Sequence, residues 1–172
     1  MATFTENESN SLDYTILRDG GVSLYRRKDF LQQDGGKLSE AGYKLFHFAC
    51  ERWTSEDEMH QNLLKELSFP SYYGNNLNAL DEVMAEIDVP ATGGVALVLF
   101  HYDKFAQGIG AAYGLSETVL HILSKTSHEF LLTGRRFLTL VQSDDPNLSF
   151  PQLGRRAPSW NSREWLNKDR GL

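Results

Sequence analysis

The chain has 172 residues, 41% of them hydrophobic and 12% aromatic, enough to bury one ordinary core and too few for two. A net charge of -6 excludes a general nucleic-acid binder without a strong local basic patch and favours a cationic partner. Cys50, the one cysteine, excludes an internal disulfide, and the longest apolar run, Val95 to Phe100, falls far short of the roughly 20 residues that cross a bilayer. With no apolar leader at the start, a cytoplasmic protein without a membrane partner is expected.

Residues 1–11 are polar and patternless and are expected to form a disordered tail. Residues 12–42 read as an N-terminal extension. Tyr14 to Leu17 and Val22 to Tyr25 flank Arg18-Asp19-Gly20-Gly21, which predicts a β-hairpin. Arg27 to Gly42 carries Phe30, Leu31 and Leu38 at irregular helical spacing and closes on Gly42, which suits a helix C-terminus.

Residues 43–143 read as the main domain. Tyr43 to Cys50 is aromatic-rich and partly alternating, a core strand. Ser55-Glu56-Asp57-Glu58 matches a capping box, and Met59, Leu63, Leu64 and Leu67 mark the buried face of a helix ending near Ser68. Pro70 stops that helix, and Ser71-Tyr72-Tyr73-Gly74-Asn75 forms a loop before Asn75 or Asn76 caps a second helix with Leu77, Leu80, Met84 and Ile87 inward. Val95 to Tyr102 is an apolar strand, Ser116 to Ser127 a helix, and Arg136 to Val141 a last strand. Strands alternating with helices imply an α/β fold with a mainly parallel three-stranded sheet. Residues 144–172, rich in Asp, Pro, Asn, Gly and Arg with Trp160 and Trp165 embedded, read as a C-terminal extension packed on the domain.

The stretch Met59 to Leu80, and above all Phe69-Pro-Ser-Tyr-Tyr-Gly-Asn-Asn-Leu-Asn-Ala-Leu80, resembles the first helix, loop and second helix of the barstar family of ribonuclease inhibitors. Combining Pro, a double Tyr, Gly, Asn and spaced Leu in twelve positions is far more specific than a lone glycine pattern. The order of elements from Leu45 to Ser143 is similar too, so a barstar-like fold is expected, enlarged at both ends. The resemblance implies a binding protein and no enzyme: an inhibitor or immunity protein whose acidic loop and helix occupy the cleft of a basic ribonuclease or related toxin. Carried across by residue, it implies partner-binding roles for Tyr72, Tyr73, Gly74, Asn75, Asn76, Asn78, Asp81 and Glu82. Tyr72 would be the aromatic anchor and Glu82 the principal acid. Asn78, Asp81 and Lys125 depart from the family's Asp, Trp and acid at those places, which argues for a target other than the familiar nuclease. The alternative is a barstar-fold interaction module without nuclease inhibition.

The residues themselves supply the blander readings. Acids on a helix face are usually a solvated face; Tyr73 reads as packing and Asn76 as a cap. His47, His60, His101, His121 and His128 never approach a zinc spacing, so neither metal nor cofactor is expected. Gly108 to Gly114 has the wrong spacing for a dinucleotide loop and reads as a flexible connection. Cys50 has no base beside it in sequence, and the doublets Arg135-Arg136 and Arg155-Arg156 read as solvated strand and loop ends. With no apolar stripe left over, a monomer is expected.

Overall fold

The computed structural model describes residues 3–154 and 156–172. Residues 1 and 2 of the expected tail and Arg155 of the second basic doublet lie outside them.

The chain order is α1 (Leu12–Arg18), β1 (Val22–Tyr25), α2 (Lys28–Glu40), β2 (Tyr43–Ala49), α3 (Glu56–Leu67), α4 (Leu77–Met84), β3 (Gly94–Phe100), α5 (Tyr102–Gln107), α6 (Leu115–Leu132), β4 (Phe137–Gln142) and β5 (Ser159–Trp160). The five strands form one sheet in the order β2-β3-β4-β1-β5, and every pairing is parallel. Side chains alternate across it, because successive residues of a strand point to opposite faces. Val95, Leu97, Leu99, Phe137 and Val141 pack with Met59, Leu63, Leu80, Met84 and Leu120 from α3, α4 and α6. Ala96, Val98, Leu138 and Leu140 pack on the opposite face with Ile16 and Leu17 of α1 and Leu31 and Leu38 of α2. Covering both faces explains why β3 and β4 read as continuous apolar runs.

Two expectations are corrected. The sheet has five strands, since β1 and β5 extend the predicted three. The N-terminal hairpin is instead helix then strand: Leu12–Arg18 is α1, capped by Ser11, whose hydroxyl accepts from the Tyr14 amide at 3.4 Å. The Gly pair that suggested a hairpin closes the helix. Gly21 N–H reaches Ile16 O at 2.9 Å, and Gly20 and Gly21 hold φ of 110° and 82°, as a helix-ending turn requires. β1 then pairs with β4 far along the chain, Val22 with Thr139.

The expected disordered tail is held in place over its described residues. Glu8 accepts from Thr5 N–H at 2.8 Å and from Arg136 at 2.9 Å, while Arg136 lies over the Phe4 ring, 4.0 Å from its centroid. The Thr5 amide and the Arg136 guanidinium bring the Glu8 carboxyl down to about 2. Arg136 also donates to Asp13, 3.0 Å away, which accepts from Tyr43 O–H at 2.8 Å. Charge-assisted hydrogen bonds to one half-buried arginine make these contacts.

Between β3 and α6 the expected connection is largely helical, α5 followed by a 3-10 turn at Ile109–Gly114. The C-terminal segment is tied to the sheet by Glu164, fully buried, whose carboxylate accepts from Arg26 N–H at 2.9 Å, Arg27 N–H at 3.2 Å and Asn161 Nδ2 at 2.8 Å. Among the described residues no helix is long and apolar enough to cross a membrane.

Candidate functional site

Local chemistry sets the loop between α3 and α4. Ser55 caps α3 by accepting from Glu58 N–H at 3.1 Å, while the Glu58 carboxylate turns to Thr54, accepting its backbone N–H at 2.9 Å, so the box closes one residue earlier than its spacing predicts. α3 ends on Ser68 at φ 53°, with Phe69 N–H returning to Leu64 O at 3.0 Å. Tyr73 N–H then bonds Pro70 O at 3.0 Å, and Asn75 at φ 50° turns the chain into α4. Asn76 caps that helix: its Oδ1 accepts from Ala79 N–H at 2.9 Å and its Nδ2 donates to Gly74 O at 3.1 Å. Leu80, Val83 and Met84 anchor α4 in the core.

The eight expected contact residues therefore divide. Tyr72, Gly74, Asn76, Asn78 and Glu82 face solvent. Tyr72 is 70% exposed, yet its hydroxyl donates to Glu86 at 2.6 Å, which raises the phenol's pKa and fixes the ring. Beside it a groove of about 510 Å³ runs between Lys44, Phe46, Leu67, Pro70 and Glu86. Tyr73 is buried against Phe69, with ring centroids 4.9 Å apart. Asn75 is half-buried, and its Oδ1 has no hydrogen-bond partner among the described residues. Asp81 is bound within the chain, accepting from Lys125 Nζ at 2.7 and 2.9 Å. That pairing raises the lysine's pKa and removes Asp81 as a free anion.

Sequence reasoning missed the support beneath the loop. His60, fully buried, lies between Tyr73 and Glu56. The carboxylate can only accept, so His60 Nε2 carries the proton towards Glu56 Oε1 at 3.4 Å, and Nδ1 accepts from the Tyr73 hydroxyl. The second Glu56 oxygen accepts from the hydroxyl of Tyr113, a residue 75% exposed and held at φ 41°. The four-residue spacing of Glu56 and His60 was a readable signal; their meeting with Tyr73 and Tyr113 was not, since loops supply both tyrosines.

The loop and α4 present an aromatic ring, amides and carboxylates to solvent. Cys50 is buried, which raises its thiol pKa, and forms no activated nucleophile.

A family model described as Barstar (barnase inhibitor) matches residues 43–142. The chain belongs to the barstar family. No curated protein matches it. The matched segment begins at β2 and ends on the last residue of β4, so the barstar region supplies three of the five strands. It contains the whole loop and α4, while α1, β1, α2 and β5 are additions to the barstar core.

Proposed function

We propose that this barstar-family chain inhibits a basic ribonuclease or related toxin stoichiometrically, docking through Tyr72, Gly74, Asn76, Asn78 and Glu82. Tyr73, Asn75 and Asp81 act from behind, holding the loop and helix in position. The observation that carries this reading is Tyr72, an exposed ring fixed by Glu86 beside a capped helix that turns Asn78 and Glu82 to solvent. A rigid aromatic anchor loses little entropy on binding, and the Glu82 carboxylate substitutes for a substrate phosphate in a cationic cleft.

Titrating a barnase-type ribonuclease with the protein at low and moderate salt tests it. The expectation is a stoichiometric endpoint and slower association as salt rises. Glu82→Lys should weaken inhibition at least about tenfold with the thermal midpoint unchanged; unaltered inhibition by that variant rejects the surface.

A second reading, an interaction module without nuclease inhibition, draws on the neutralised Asp81 and on the exposed Trp165, Leu166 and Leu172 of the C-terminal addition. Partner binding that ignores salt and is lost in Trp165→Ala would favour it.

A further inference from the structure

Folding brings together three ligand-type side chains that lie far apart in sequence. His101 follows the last residue of β3, Asp103 lies in the first turn of α5, and Asp144 stands two residues past β4. One ligand atom of each lies within 4.8 Å of the others. They gather at the carboxyl ends of β3 and β4, where open parallel sheets ordinarily hold ligands.

Asp103 is 1% exposed, yet among the described residues one oxygen accepts a single hydrogen bond, 3.2 Å from Asp144 N–H. Its other oxygen faces only the half-exposed Lys104 ammonium at 3.8 Å. A carboxylate this deep ordinarily collects close partners, so one oxygen is left available. His101 Nδ1 and Asp144 Oδ2 lie 2.9 Å apart, a hydrogen bond that a cation seated between them would replace.

Gln142, fully buried, orients both neighbours. Its Oε1 accepts from His101 N–H at 2.9 Å, and its Nε2 donates to Asp144 Oδ1 at 3.0 Å and to Arg26 O at 3.1 Å. Hydrogen bonding that fixes a ligating carboxylate in this way accompanies metal sites. His101 also holds φ 52°, a conformation that favours Gly or Asn, so the imidazole stands where backbone comfort would choose another residue.

We propose that His101, Asp103 and Asp144 form a binding site for a divalent transition metal, zinc before magnesium. An imidazole nitrogen with two carboxylate oxygens suits Zn2+, with water completing a tetrahedron, whereas Mg2+ prefers oxygen ligands throughout. The Lys104 ammonium leaves Asp103 when the cation arrives. The site shares no residue with the docking surface, so either proposal stands if the other fails.

Calorimetric titration of tag-free, chelator-treated full-length protein with ZnCl2, and separately with MgCl2, tests the assignment. One Zn2+ per chain is expected, binding more tightly than Mg2+ and weakened about tenfold or more in both His101→Asn and Asp144→Asn. Asn tolerates the left-handed backbone at 101, and circular dichroism checks that each variant is folded. Absent zinc binding, tighter magnesium binding, or unchanged affinity in His101→Asn overturns the proposal.

Discussion

Single side chains decide what the proposed docking surface offers. Lys125 and Asp81 are each partly exposed, and such pairs contribute roughly 0–1 kcal/mol to stability. Their main effect is on charge: Lys125→Ala should leave the urea midpoint almost unmoved while raising the association rate with a basic nuclease, measured by stopped flow. His60 carries the opposite balance. Burial lowers its pKa below 6.5, so the unfolded chain binds its proton more readily than the folded one. The stability it protects is whole above about pH 6.5 and is lost as pH falls through the lower folded value. Urea unfolding at pH 7.5 and 5.5 should show a larger acid loss in the wild type than in His60→Gln. Equal losses would remove His60 as the cause.

Among the elements, legibility followed the strength of local signals. α4 was readable because Asn76 and the Leu77, Leu80, Met84 spacing agree, and β3 because seven residues from Gly94 pair with β2 and lie between two layers. α1 was misread because Tyr-Thr-Ile-Leu suits strand or helix, and a Gly pair ends a helix as readily as it turns a hairpin. The partner that decides, β4, is remote in sequence. Among the site residues, Tyr72 was legible through the family resemblance, Glu82 through its four-residue spacing from Asn78, and Tyr73 as a packing residue, but the capture of Asp81 by Lys125 depends on helices meeting in space. The turn after α1 is also where close packing is most exacting. A Cβ at Gly21 would lie 2.4 Å from Ser127 Oγ at a φ of 82°. Gly21→Ala should therefore destabilise by about 1–3 kcal/mol, and a chemical denaturation curve indistinguishable from wild type would contradict the close approach of α1 to α6. Removing the Glu164 carboxylate, as in Glu164→Ala, leaves the Arg26 and Arg27 amides without their acceptor and should cost about 2–3 kcal/mol by the same measurement.

At the level of the whole molecule, the barstar core and its additions share one sheet. Ala96, Val98, Leu138 and Leu140 are fully buried beneath α1 and α2, and β4 hydrogen-bonds to β1 along its outer edge. A fragment of residues 43–143 would expose that apolar face and an unpaired strand, both of which promote association. Size-exclusion chromatography should find the fragment aggregated or unfolded where the full chain is folded. A folded monomeric fragment would show that the additions are dispensable.

The pairing of Val22 with Thr139 also sets the timing of biosynthesis. β1 leaves the ribosome early, yet its hydrogen-bonding partner is translated on the order of ten seconds later at usual elongation rates of about 5–20 residues per second. Throughout that interval Val22, Leu24 and Tyr25, all buried in the finished fold, have no native strand beside them. The nascent chain is thus a natural client for chaperones that hold extended apolar segments, and ribosome pausing before Phe137 would lengthen that dependence.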